Sequence, residues 1–223
     1  MADLYGFVQQ QNVGRAAEGT SRGVRLTRDG AIVQVPWLQA LCLEGRVFVT
    51  HFGATDMATT EATFAAGDID GTEIDMLATI PATVACLPVY AKCAFDAIGT
   101  IDEVDFMVGW GSGGVIGANS VAVVPRNLRP ASGVAPLITV ATQGDAAGTA
   151  VTLTGVIFHE ATFGLTGVAA TPAQLGYEWS AMSSGGVVPV IEGARQLVGL
   201  TGSQAGTGYQ TYVWVELPIS AVV

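Results

Sequence analysis

Residues 73–110 constrain the fold more than any other stretch. They read EIDMLATIPATVACLPVYAKCAFDAIGTIDEVDFMVGW. Two runs, 81–95 and 101–110, alternate apolar residues with small or polar ones, and Asp96-Ala97-Ile98-Gly99-Thr100 supplies a turn between them. A period of two buries one face of an extended strand and leaves the other free, so the stretch predicts an antiparallel pair in a sheet. Pro88 lies inside the first run and has no N–H to give a ladder. That strand should therefore run at a sheet edge or carry a bulge at Pro88.

The same pattern recurs on both sides. Leu4, Gly6 and Val8 alternate with Tyr5, Phe7 and Gln9 in a first short strand. Residues 9–23 are polar, with Gly14, Gly19 and Gly23, and read as a loop or an extended arm that orders on a neighbour or simply frays. Asp29-Gly30 between the apolar runs 24–26 and 31–35 is a hairpin signal. Pro36 can open a short helix and Gly45 can close it, with Trp37, Leu38 and Leu41 on one stripe; a strand is the competing reading. Residues 46–52 return to period two.

Further strands are expected at 115–124, 134–142 and 150–158, around Tyr177 and Trp179, and in short pieces at 187–191 and 197–200. The last run, 208–219, places Tyr209, Thr211, Val213 and Val215 on one side and Tyr212, Trp214 and Glu216 on the other. So strong a terminal strand should pair near the middle of a sheet. No charged or proline-rich linker divides the chain. The expectation is an all-β antiparallel sandwich with at most one or two short helices: an N-terminal strand and arm over 1–23, then one β domain over 24–223. Within that domain, 160–207 is an elaborated loop or a small β subregion.

Charge and cysteine usage narrow the function classes. The chain carries a formal charge of −10, so direct nucleic-acid binding, which needs clustered Lys and Arg, is not expected, nor is contact with anionic membranes. Arg15, Arg22, Arg25, Arg28 and Arg46 lie early. Asp56, Glu61, Asp68, Asp70, Glu73, Asp75, Asp96, Asp102, Glu103 and Asp105 follow, opposed only by Lys92. A basic arm and an acidic body suit contacts between copies, although each charge alone reads as solvated. Half the residues are hydrophobic and only 13% are charged. A surface with so few charges is expected to be covered in part by other subunits.

Cys42, Cys86 and Cys93 are odd in number and match no zinc spacing. Cys86 and Cys93, seven apart in one strand, should point to opposite faces and cannot bond. All three read as small core residues in a reducing compartment. No signal peptide is apparent, and no apolar run is long enough to span a membrane.

Chemical motifs fail one by one. Gly67-Asp68-Ile69-Asp70-Gly71 suggests a calcium loop, but its glycine falls at position four rather than six. Gly111-Ser112-Gly113-Gly114 follows a strand yet leads into another strand without Lys, so it is neither a phosphate loop nor a dinucleotide turn. His51 and His159 sit at strand ends, and Glu160 cannot share a face with His159. No Gly-x-Ser-x-Gly elbow exists. Paired carboxylates for glycoside hydrolysis depend on geometry alone. Trp37, Trp110, Trp179 and Trp214 would suit a sugar platform, but they lie in apolar patterns and read as core. No catalytic, cofactor-binding or metal residue is assigned, no cofactor is expected, and the chain is not read as an enzyme.

The segments LTRDGAIVQVPWLQALCLEGRVFVTHFG, TIPATVACLPVYAKCAF and the closing YVWVELP together resemble virion structural proteins, especially small jelly-roll proteins of bacteriophage capsids. The resemblance covers much of the first 125 residues and the last strand, and carries over no functional residue. It implies a β jelly roll that assembles in the host cytoplasm. Such a protein is a homo-oligomer, a trimer favoured, that joins other capsid proteins as a shell subunit or a decorating (cement) protein of the virion. The alternative is a carbohydrate- or receptor-binding β-sandwich of a phage fibre or tail; a sandwich hydrolase comes third.

Overall fold

The computed structural model describes residues 6–7, 24–25, 36–53, 62–63, 69, 71–72, 74–97, 103–117, 120–142, 148–163, 175–202 and 207–222. In chain order the elements are β1 (Gly6–Phe7), β2 (Val24–Arg25), α1 (Trp37–Leu43), β3 (Val47–Phe52), β4 (Ala62–Thr63), β5 (Met76–Ile80), β6 (Val84–Ala97), β7 (Glu103–Ser112), β8 (Val121–Val123) and β9 (Arg126–Asn127). They continue with β10 (Thr139–Thr142), β11 (Thr152–Phe163), β12 (Gly176–Ser180), β13 (Ile191–Glu192), β14 (Arg195–Gly202) and β15 (Thr207–Pro218). Short 3-10 turns occupy Pro130–Ser132 and Ile219–Ala221.

Two antiparallel sheets carry the fold. The first runs β11-β7-β14-β5-β10-β8. The second runs β12-β6-β15-β3-β9, with β13 also on β6 and β4 also on β15. Eight strands pair in a nested way. The first, β3, lies on the last, β15; β5 lies on β14, β6 on β12, and β7 on β11. The chain thus behaves as one long hairpin rolled so that its rungs alternate between sheets. The all-β sandwich expected from the alternation is what the chain forms.

The sheets face each other across one core. Phe48 and Phe52 of β3, Cys86, Cys93 and Phe95 of β6, and Tyr212 and Trp214 of β15 meet Met76 and Ile80 of β5, Phe106 and Val108 of β7, and Leu197 of β14. Both outer faces are partly covered as well. Ile69, Ile74, Ile116 and Val151 pack on Leu77, Met107, Val198 and Leu200 outside the six-stranded sheet. Outside the other sheet, Leu38, Leu41 and Cys42 of α1, with Val188 and Val222, pack on Val47, Val89, Val215 and Leu217.

Several local expectations change. The runs 81–95 and 101–110 do not pair: β6 and β7 belong to different sheets. Their inward faces instead share the core between the sheets, which satisfies the same alternation by burial across the sandwich rather than by hydrogen bonding within a sheet. Pro88 marks a bulge, the second of the two options. Trp214 pairs with Pro88 and Val213 with Tyr90, so Val89 is skipped. The skipped residue reverses the parity of the strand. Cys86 and Cys93, expected on opposite faces, therefore both point into the core. They remain free thiols, as does Cys42.

Among the described residues of the 115–124 run, Val115 makes a single bridge to Thr149 and 121–123 form a strand. The 134–142 strand is shorter than expected, and the one from 150 is longer, ending at Phe163. The helix forms where Pro36 and Gly45 bracket it; Gly45 takes φ +74, the left-handed conformation that ends helices. β15 lies between β6 and β3, as its pattern demands. Val24–Arg25 pairs in parallel with Gly6–Phe7. The hairpin partner at 31–35, the rest of the arm, and Asp68 and Asp70 lie outside the described residues.

One glycine is set by packing. A Cβ on Gly199 would fall on the Tyr212 hydroxyl and within 3.2 Å of Gln210 Oε1, and both neighbours are buried. Gly199→Ala should therefore destabilise the fold by about 1–3 kcal/mol through overpacking. Urea unfolding reads this directly, and an unchanged midpoint would refute the packing described for β14 on β15.

Candidate functional site

The polar groups of the interior are used to fasten the fold. Glu216 Oε2 accepts the Leu137 N–H at 2.7 Å, and its Oε1 accepts the Ile138 N–H at 3.3 Å and the Trp214 indole N–H at 3.1 Å. One carboxylate thereby ties the segment before β10 to the end of β15. At the opposite end, Asp75 Oδ2 accepts the Thr201 N–H at 2.6 Å and the Thr201 hydroxyl at 2.7 Å. Between them the Tyr212 hydroxyl donates to Gln210 Oε1. Burial drives the Tyr212 phenol well above its ordinary range, with Cys93 and Asp75 adding to it. The Cys86 and Cys93 thiols are likewise pushed well up by burial. Groups held in their neutral form this way are poor nucleophiles.

The residues singled out in the sequence scatter. His159 is inside β11 rather than at its end, and its Nε2 lies 3.3 Å from Asp105 Oδ2 on the neighbouring strand. His51 is on β3 in the other sheet. Trp214 and Trp179 are buried, Trp110 packs on the core, and Trp37 is 40% exposed, so the four do not form a platform. Among the described residues no group of three or more His, Cys, Asp or Glu is placed to hold a metal ion. Among them, too, no helix is long and apolar enough to cross a membrane.

What the structure does gather is an apolar rim at one end of the sandwich. The start of β3, the turn between β5 and β6, the end of β15 and the start of β14 all lie there, as their registers require. From that end residues 124–138 leave the six-stranded sheet, place β9 against β3 in the other sheet, and return to β10. The excursion is well anchored. Asn127 Nδ2 donates to Gly45 O at 2.8 Å and to Val134 O at 3.0 Å, Arg129 donates to Leu43 O, and Glu216 holds its last residues. Yet it leaves Val124 72% exposed and Leu137 60% exposed, with Leu128 and Val134 also uncovered. Beyond β12, the segment 181–190 adds Met182 and Val187, at 68% and 75% exposure.

Alternation could not reveal this rim, because 124–138 is nearly all loop. The signal present in the sequence was the run of Val, Leu and Ala among prolines with Arg126 and Arg129 as its only charges. Comparison with protein-family models, curated proteins and solved structures finds no match for the chain.

Burial raises the Glu216 carboxyl above its ordinary value of 4.5, and the hydrogen bonds from Leu137, Trp214 and Ile138 only partly offset it. The fold therefore favours the protonated form. The stability this group contributes is fully present below pH 4.5 and is lost as pH rises through the raised value. Glu216→Gln cannot titrate, so urea midpoints measured from about pH 4 to 8 should shift against the native protein, relative to the variant, as pH rises. A difference that stays flat over that range would contradict the burial of this carboxylate.

Proposed function

We propose that the chain is a non-enzymatic structural protein of a virus particle, a capsid shell or capsid-decorating subunit that acts by packing against copies of itself and other capsid proteins. In this reading it assembles in the host cytoplasm and works in the virion as a homo-oligomer, a trimer being favoured. The observation that carries the reading is the nested pairing of eight strands, β3 with β15, β5 with β14, β6 with β12 and β7 with β11. That order supports a jelly-roll winding, an architecture at home in viral capsids as well as in lectins and cupins. Fold alone does not decide among these, so the surface has to.

The surface favours assembly. Fully covering a large aliphatic side chain gains about 1.5–3 kcal/mol. Association costs about 4–15 kcal/mol before any net affinity appears. One exposed valine is therefore no interface, whereas Val124, Leu128, Val134 and Leu137, each partly exposed on one anchored excursion, together reach the lower part of that cost when covered, and neighbouring contacts supply the rest. The anchoring by Asn127, Arg129 and Glu216 means little ordering is required on association.

Light scattering behind size exclusion should give a stable oligomer across a wide concentration range. The paired substitution Val124→Asp and Leu137→Asp should lower the mass toward the monomer while the circular dichroism of the sandwich is retained. A native protein that is strictly monomeric at high concentration would reject the reading.

A further inference from the structure

The outer face of the seven-stranded sheet is divided in two. Its lower part lies under α1, Val188 and Val222. Its upper part is open and carries a straight row of polar side chains across four neighbouring strands. His51 on β3 is opposite Thr211 on β15, Thr211 is opposite Lys92 on β6, and Lys92 is opposite Glu178 on β12. Neighbours along the row touch at both ends: His51 Nδ1 is 2.8 Å from Thr211 Oγ1, and Lys92 Nζ is 3.8 Å from a Glu178 carboxylate oxygen. Two half-buried tyrosines bracket it. The Tyr209 ring lies parallel to that of His51, with centroids 6.3 Å apart and an interplanar angle of 6°. Tyr90 lies on the other side of the row, where burial and then the nearby Glu178 carboxylate raise its phenol above the ordinary value.

The row has little to do with holding the fold. Lys92 and Glu178 have side chains 47% and 57% exposed, and exposed pairs of this kind contribute only about 0.2–1 kcal/mol. Its chemistry nonetheless forms a pattern. Donors from Lys92 alternate with acceptors from Glu178, and the hydroxyl of Thr211 does both. Tyrosine rings at the margins present apolar faces with a polar tip. The opposite charges of Lys92 and Glu178 cancel, which gives neither an anion nor a cation an advantage. Four strands at their usual spacing make the row about 14 Å long, room for a short chain of rings rather than one.

We propose that this face binds a neutral oligosaccharide, with a sugar ring against Tyr209 and its hydroxyls on Thr211, Lys92 and Glu178. A polyol is the ligand that needs both donors and acceptors at short intervals, an apolar C–H face for an aromatic ring, and no net charge. Among the described residues no wall rises beside the row, so a single copy binds weakly and several copies on one assembly bind by avidity. The inference does not depend on the virion reading, and the site lies away from the apolar rim.

The test is an array of neutral oligosaccharides, with sialylated and sulfated arrays beside it, probed with the intact protein. Titration of any neutral ligand found follows, for native protein, Tyr209→Ala, Tyr209→Phe and the double variant Lys92→Ala with Glu178→Ala. The expected result is binding to at least one neutral glycan. Tyr209→Ala and the double variant should each weaken it by about tenfold or more, with Tyr209→Phe keeping most of it and oligomeric mass unchanged. No neutral ligand, binding restricted to acidic glycans, or binding unmoved by both Tyr209→Ala and the double variant would overturn the proposal.

Discussion

The ladder between β15 and β6 is the constraint to which the rest of the molecule is fitted. β15 pairs with β6 over nearly its whole length and with β3 on its other side. Tyr212 and Trp214 point from it into the space between the sheets, while Thr211, Val213 and Val215 occupy the outer face. The ladder is not regular. The bulge at Val89 shifts the register by one residue, and that shift puts Cys86 and Cys93 on the same side. Without it, one half of β6 would present its polar face to the core. A proline in a central strand is thus accommodated by a device that the core then requires.

Around this ladder the buried polar groups act as fasteners. Glu216 continues the inward side of β15 and collects three N–H donors that have no strand partner. It thereby fixes where the 124–138 excursion rejoins the sheet, and with it the placement of Leu137 and Val134. Asp75 does the corresponding work between the start of β5 and Thr201 of β14. Buried carboxylates are costly unless each oxygen is supplied with donors. Their presence at the two ends of the sandwich marks the places where ladder bonding runs out.

The parts of this architecture that depend on one-strand alternation were legible beforehand, and those that depend on pairing were not. The inward and outward sets of β15 follow from residues 208–219 alone, and Pro36 with Gly45 delimits α1. The turn at 96–100 looked like a hairpin because both flanking runs alternate. Alternation says only that a face is buried, not whether the next strand lies beside it or across the core. The bulge was foreseeable from Pro88, but its effect on Cys93 needed the register. The polar row was invisible for the same reason. His51, Lys92, Glu178 and Thr211 are far apart along the chain and come into line only through three separate strand registers.

The account therefore rests on a sandwich that seals its own core, anchors a stiff apolar rim at one end, and leaves a polar row open on one sheet. The most direct test is amide hydrogen exchange of the native protein at two concentrations, one well below and one well above its association range. The account predicts that exchange slows with concentration across 121–137 and 182–190, while amides of Lys92, Glu178 and Thr211 keep the same protection. Equal exchange in the rim segments at both concentrations, or protection gained over the polar row instead, would contradict it.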